Sequence, residues 1–382
     1  MSKPRTPKVK SLQLQDFRSY ERLTLDIGEA MVVAISGDNG AGKTNILEAL
    51  SLLSPGRGLR RADPTDLPRV SGPGSFAISI DADCEAGSFK LGTGISSPAN
   101  PRRIYRINRE PSSSAHSFAN YLRIVWLTPA MDGLFTGSGG DRRRFLDRLV
   151  LAVDSEHGAR VSVLEKALRS RNRLLEERAP DTRWLDSIEQ EIAETAIAVT
   201  LARAETIERL RHIKIVDKHE EAPFPWADIQ LVGELDEIVK THLAIDAEEQ
   251  YRRLLRESRR RDAAAGRTLI GPQSTDLKVI HGPKGIDARR CSTGEQKALL
   301  VGLVLAHANL VRAAAETAPI ILLDEVMAHF DPAKRRALFN ILEQLGCQVW
   351  VTGADPASFH DVAGHRVFVN VTPGKAEIIT GI

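Results

Sequence analysis

The sequence predicts an α/β fold: two separated stretches build one sheet-centred head, and the middle of the chain forms an inserted helical lobe. Three observations carry this. A glycine-rich string at residues 37–44, GDNGAGKT, lies between a strand-like apolar run, 31–35, and a helix-like run opening at Asn45. Near the other end of the chain a second apolar run, 320–323, ends in Asp324-Glu325. Between them, residues 142–177 and 184–217 hold few helix breakers and carry apolar residues at helical spacing.

Residues 9–35 alternate as strands do, first Val9, Leu12 and Leu14, then Leu23, Leu25 and Ile27, then the run 31–35. Residues 76–107 form a second strand-like region, with turn signals at Glu85-Ala86-Gly87 and Ser97-Pro98-Ala99-Asn100-Pro101. Residues 124–127, IVWL, read as one more buried strand, so 1–127 is expected to be a mixed β lobe around the glycine-rich string. The character changes over 128–265. Leu164, Leu168 and Leu175 answer Leu185, Ile188, Ile192, Ala196 and Val199, and Pro180 breaks the pattern between them because proline cannot continue a helix. This reads as an arm-like helical hairpin, with a bundle that buries itself as the competing reading. Asp246 followed by Glu249 looks like an N-cap with its capping acid, opening a helix through Arg261. After Gly266 strand and helix alternate again, through 268–272, 277–280, an apolar helix 298–311, the strand 320–323, a helix 332–346 and 348–352. That alternation marks a parallel sheet, so 266–382 is expected to complete the head.

A chain of 382 residues can hold two or three domains. Its hydrophobic content of 42% and charged content of 27% are those of ordinary soluble proteins. The net charge of +2 announces no acidic partner, yet the arginines are bunched: Arg57, Arg60 and Arg61; Arg102, Arg103, Arg106 and Arg109; 142–144; and 252–261. Local basic runs bind phosphate backbones without a basic total, although such runs are more often solvated helix faces. Cys84, Cys291 and Cys347 lie far apart and form neither a metal-ligand spacing nor a disulfide framework, which suits a reducing compartment. The basic N-terminus lacks a signal-peptide apolar core, and no uninterrupted apolar stretch reaches a membrane span, so a cytoplasmic location is expected.

Gly37, Asp38, Asn39, Gly40, Ala41, Gly42, Lys43 and Thr44 fit the phosphate-loop pattern G-x-x-x-x-G-K-[ST] at every fixed position, and Asn45 opens the following helix. Glycines let the backbone curl so that its N–H groups face a polyphosphate, and the helix N-terminus adds a positive field. Lys43 is expected to reach the β and γ phosphates of ATP, and the Thr44 hydroxyl to ligate Mg²⁺. Ser292-Thr293-Gly294-Glu295-Gln296 resembles the signature motif of ABC-type ATPases, which presents a serine hydroxyl and a helix N-terminus to the γ-phosphate held by a second subunit. On the same resemblance Asp324 is the magnesium-binding aspartate, Glu325 polarises the attacking water, and Asp331 belongs to a loop crossing the dimer interface. The expected fold is therefore an ABC-type P-loop head with an inserted helical second lobe.

Further residues narrow the likeness. Phe17-Arg18-Ser19-Tyr20, the phosphate loop with Asn45-Ile46-Leu47-Glu48, Arg143-Arg144-Phe145-Leu146-Asp147, Arg171-Asn172, Gly271-Pro272 and Asp276-Leu277, and Ser292 to Leu299 resemble the RecF family of DNA repair ATPases, in that family's order. The resemblance implies a slow ATPase used as a switch. It also implies an ATP-dependent homodimer on double-stranded DNA near single-stranded gaps and junctions, with RecR and RecO as partners that help load RecA. Departures are visible. Gln273-Ser274-Thr275 replaces the common residues after Gly-Pro, leaving Asp276 as a possible polar contact; Asp324-Glu325 replaces the frequent Asp-Asp. No Gln lies between Leu127 and Phe135, and Thr352 stands where an ABC switch histidine would lie.

An ATP-gated DNA clamp is the leading reading, with Arg57, Arg60 and Arg61 as the expected DNA contacts. The alternative is an SMC-type chromosome-organising ATPase, against which the short arm argues. A transporter subunit usually carries the Q-loop glutamine and switch histidine that are missing here. A small-molecule kinase has no use for Ser292 to Gln296 or for Asp331.

Overall fold

The computed structural model describes residues 6–177, 181–213, 223–359 and 365–379. The expected break at Pro180 and the end of the helical pattern beyond residue 213 lie outside them. Two compact units emerge: one takes its described residues from Met1–Asp132, Lys214–Pro225 and Thr293–Ile382, the other from Gly133–Ile213 and Trp226–Ser292.

The first unit contains two six-stranded sheets. One is antiparallel, built from β1 (Lys8–Phe17), β2 (Tyr20–Asp26), β4 (Phe76–Cys84), β5 (Gly87–Ile95), β6 (Ile104–Ile107) and β7 (Glu110–Ser112), in the order β2-β1-β4-β5-β6-β7. The other orders β15 (Lys375–Ile379), β14 (Arg366–Thr372), β3 (Val32–Ser36), β13 (Val349–Gly353), β12 (Ile320–Leu323) and β8 (Ile124–Leu127). All its pairings are parallel except β14 with β15. Every residue of β3, β12, β8 and β13 is buried, as expected of parallel strands covered on both faces. A shared core joins the sheets through Leu12 and Leu14 of β1, Ile78 and Ile80 of β4, Val33 and Ile35 of β3, Leu322 of β12 and Trp350 of β13. The expected β lobe is thus real, but the strand feeding the glycine loop, β3, and the strand over 124–127, β8, both lie in the other sheet.

Among the described residues this unit has three α-helices: α1 (Lys43–Ser51), α7 (Thr293–Ala315) and α8 (Pro332–Leu345). By length and composition α7 could cross a membrane, but its apolar run is interrupted by His307 and Asn309, and 67% of its apolar window is buried, as in a core helix. Gly302 makes one close approach possible, since a Cβ there would lie 2.4 Å from the Pro225 carbonyl oxygen.

The second unit holds α2 (Gly139–Val153), α3 (His157–Leu175), α4 (Thr182–His212), α5 (Glu234–Thr241) and α6 (Ala244–Ala265), with a small antiparallel sheet β11-β10-β9. The pattern expected as one helix over 142–177 is two, separated at Asp154, whose extended ψ of 99° ends α2. The head does not resume at 266. Strand β10 (Asp276–His281) pairs with β9 (Ala227–Val232) and β11 (Ile286–Asp287), so residues through Ser292 belong to this unit and add no parallel strand to the head. Asp246 is no N-cap: α6 begins at Ala244, and Asp246 sits within its first turn. The core of α3, α4 and α6 joins Leu164, Leu168, Ile192, Ala196, Tyr251 and Leu255. Inside it Arg171 is completely buried, paired with Glu189 at 2.9 Å and Asp262 at 2.8 Å.

Candidate nucleotide site

The loop between β3 and α1 needs glycine at specific positions. Gly37 has φ 147°, and a Cβ on it would lie 2.2 Å from the Val371 carbonyl oxygen of β14. Gly42 has φ 118° and caps α1; a Cβ there would meet Ser19 Oγ at 2.8 Å and Tyr20 Oη at 2.9 Å. The Phe17–Tyr20 corner is therefore fitted against the loop, and the buried Tyr20 hydroxyl donates to the Gly42 carbonyl at 3.1 Å. Arg18 reaches Glu48 of α1 through both Nε (2.8 Å) and Nη2 (2.6 Å), and Arg60 Nη1 donates to the same buried carboxylate at 2.7 Å. Two guanidinium groups thus fix the helix behind the loop.

Lys43 is buried. Its ammonium donates to the Gly37 and Asp38 carbonyls at 2.7 and 3.0 Å and lies 3.7 Å from Glu325 Oε1. Thr44 Oγ1 donates to Asp324 at 2.9 Å from Oδ1 and 3.1 Å from Oδ2. Parallel pairing explains the meeting: β3 and β12 flank β13, so residues just beyond their C-terminal ends share one rim of the sheet. There the hydroxyl and carboxylate expected to share Mg²⁺ stand side by side.

Glu325 follows Asp324 with φ 53°, a left-handed conformation uncommon outside glycine. Its N–H donates to Thr352 Oγ1 at 2.9 Å, and the same hydroxyl donates to Asp324 Oδ1 at 2.8 Å. Thr352 is fully buried at the end of β13. The sequence reading placed it only where a switch histidine would lie; the structure shows one hydroxyl holding both members of the acidic pair.

Ser292, Thr293 and Gly294 are exposed where α7 starts, Glu295 is partly buried and Gln296 buried. Asp331 caps α8, accepting from the Lys334 N–H at 2.9 Å, and that bond, against slight burial, holds its carboxyl below the ordinary range. Asp276 is paired with Arg142 at 2.6 Å; burial pushes its carboxyl up, but the Arg142 hydrogen bond and charge bring it below the usual value. The arginines expected to meet DNA have local partners. Arg60 also donates to Asn45 at 2.7 Å, Arg57 pairs with Asp63, and Arg61 adopts φ 55°. Arg103 Nη2 donates to the Leu52 carbonyl at 2.6 Å.

The whole chain has relatives. The family model described as RecF/RecN/SMC N terminal domain matches residues 8–380. The DNA replication and repair protein RecF of Mesorhizobium japonicum is 50% identical over 372 residues, covering 97% of this chain and 98% of that protein. The chain belongs to the RecF family. The family's RecF protein from Brucella abortus is likewise 50% identical, over 381 residues and 98% of its length. A solved structure of the recombination mediator protein RecF with ATPrS, of the RecFOR pathway, superposes with TM-score 0.86 at 21% identity, covering 99% of this chain and all of that one. A Pyrococcus furiosus Smc head superposes with TM-score 0.52 at 16% identity, covering 98% of this chain and 96% of that one. Both likenesses are of fold, that of an ABC-type ATPase head.

Proposed function

We propose that this RecF-family chain is a DNA replication and repair ATPase whose nucleotide state sets dimerisation and grip on DNA at gaps. The observation that carries the ATP site is the set of contacts joining Thr44, Asp324, Thr352 and Glu325 beside the glycine loop. The donor set fits Mg²⁺, a hard cation that takes one carboxylate and one hydroxyl and fills its remaining positions with phosphate oxygens and water. Thr44 and Asp324 would hold it, and it would neutralise charge on the β and γ phosphates. The loop N–H groups and Lys43 bind and orient the phosphates. Glu325 accepts a proton from, or polarises, the attacking water, with its position fixed by Thr352.

ATP-dependent dimerisation is supported by Ser292, Thr293 and Gly294, which are exposed at a helix start, where a partner's γ-phosphate can reach them. Glu295, Gln296 and Asp331 are assigned to the same shared site. The coupling to DNA rests on Arg57, Arg60 and Arg61: Arg60 holds Asn45 and Glu48 of α1, so nucleotide in the loop and DNA at the trio act on one helix. RecR, RecO and RecA are the partners that family membership supports. Size-exclusion with light scattering, without nucleotide and with ATP and Mg²⁺, tests the dimer. Ser292→Arg should leave ATP binding by the monomer nearly intact and abolish the ATP-dependent dimer, because a long cation there blocks docking. A variant that still dimerises makes Ser292 a plain helix-start residue and overturns the shared site.

A further inference from the structure

Helix α6 buries Tyr251, Leu255, Ser258 and Asp262. At ~3.6 residues per turn the opposite face carries Arg253, Arg256 and Arg260 in a row, with Arg261 at its margin. Every exposed position between 252 and 261 is Arg or Glu: Arg253, Arg256, Glu257, Arg260 and Arg261. Arg256 is paired with Asp186 at 3.1 Å yet stays 48% exposed. Arg253, Arg260 and Arg261 have no carboxylate within ion-pair distance among the described residues. The arrangement continues past the helix. Asn172 Oδ1 accepts from the Thr268 N–H at 2.9 Å, and each of the two has an exposed arginine beside it in the chain, Arg173 and Arg267.

We propose that this face of α6 contacts the phosphate backbone of duplex DNA, a surface separate from Arg57, Arg60 and Arg61. The inference rests on the DNA-binding reading above. Two features favour nucleic acid over a protein partner. A stable protein interface needs a buried apolar or aromatic anchor, and the exposed positions from 252 to 261 offer none. A phosphate backbone needs only repeated cations, and Arg253 to Arg260 spans ~10 Å, roughly three phosphates at ~3.4 Å of axial rise per strand. The charges are also available. Near the glycine loop Arg60 is committed to Glu48 and Arg57 to Asp63, whereas Arg253, Arg260 and Arg261 must give up no internal ion pair to meet a phosphate. Glu257 is the one exposed acid within this stretch, and it weakens but does not cancel the field of its neighbours.

The test uses the full chain and fluorescence anisotropy on a gapped duplex and on intact duplexes of two unrelated sequences, from about 50 to 200 mM salt. Arg253→Gln, Arg260→Gln and Arg261→Gln together should weaken binding at least tenfold on every sequence. The slope of log K against log salt should flatten by about 0.9 for each phosphate that the variant no longer neutralises. The three Arg→Lys changes, which keep charge on the same helix face, should recover most of the affinity and slope. Arg57→Gln, Arg60→Gln and Arg61→Gln, measured in parallel, should add to the loss when combined with the α6 set. Parent affinity and slope in the α6 Gln variant overturn this surface while leaving the DNA reading in place. So does a loss confined to an acidic protein ligand with duplex binding intact. A parent chain that binds no duplex with or without ATP overturns both.

Discussion

Thr352→Val removes one hydroxyl and almost no volume, from a site with no access to water. That hydroxyl accepts from the Glu325 N–H at 2.9 Å and donates to Asp324 Oδ1 at 2.8 Å. Its loss leaves the N–H without its acceptor and the carboxylate short of a donor; an unmet buried group costs about 1–3 kcal/mol. Glu325 is held at φ 53°, a conformation that itself costs of order 1–3 kcal/mol in a non-glycine residue and persists only where neighbours impose it. Freed of Thr352, the peptide relaxes and the Glu325 carboxylate moves. A displacement near 1 Å costs up to ~100-fold in rate. The expected result is a fall of about 10- to 100-fold in kcat, or ~1.4–2.7 kcal/mol. ATP binding should change only a few-fold, because neither Lys43 nor the glycine loop bonds to Thr352. Thr352→Ser keeps the hydroxyl and should restore turnover. Steady-state ATPase assays at saturating ATP and Mg²⁺, beside fluorescent-nucleotide binding, make the measurement. A Val variant with parent kcat would show that Glu325 is positioned without Thr352.

Two other changes separate hydrolysis from binding at the same site. Glu325→Gln should keep ATP and Mg²⁺ binding but trap the ATP-bound dimer, because the water loses its polarising carboxylate while Asp324 still holds the metal; turnover equal to the parent's sinks the role of Glu325. Lys43→Met should weaken nucleotide binding and prevent dimerisation, read by the same nucleotide titration and light scattering, because the β and γ phosphates lose their fixed cation.

Much of the nucleotide site is legible in the sequence because its chemistry is local. The glycine loop, its strand and its helix are contiguous, and Asp324-Glu325 ends a plain apolar run. What the sequence hides is set by long-range pairing. Thr352 reaches Glu325 and Asp324 across strand order β13-β12, which no periodicity reports. Arg18 and Glu48 stand out as family motif residues, but their hydrogen bonds depend on how the β1–β2 corner meets α1. The sheet β11-β10-β9 escapes a sequence reading for the same reason. Leu277 alternates like any strand residue, and only its pairing with Leu231, far away in the chain, places β10 outside the head. The start of α6 misleads differently: Asp246 and Glu249 have capping chemistry, yet packing of Ala247 and Tyr251 in the core sets where the helix runs, and it begins earlier.

The second unit carries a charge set in its core, and its stability should depend on that set. Arg171 Nε meets Glu189, Nη1 meets Asp262 and Thr268 Oγ1, and Nη2 donates to the Leu255 carbonyl at 2.7 Å, so one side chain ties α3 to α4, α6 and the turn after it. Glu189 has a second partner in Arg259, at 3.0 Å, and survives the loss of the first. Among the described residues Asp262 keeps only the Ser258 hydroxyl at 2.8 Å and the Leu269 N–H at 3.2 Å, with no compensating cation. Arg171→Met should therefore destabilise the chain by about 3–5 kcal/mol, the cost of an uncompensated buried charge. Adding Asp262→Leu should recover part of that loss, because the stranded carboxylate goes with it; the coupling between the two changes should exceed about 0.5 kcal/mol. Guanidinium unfolding followed by circular dichroism gives the energies, and hydrogen exchange should show the lost protection concentrated in α3, α4 and α6. The glycine-loop helix packs in the first unit's core, so ATP binding at low temperature should outlast the loss. If Arg171→Met leaves the unfolding midpoint unchanged, the Arg171–Asp262 pair contributes nothing to holding α3 on α6.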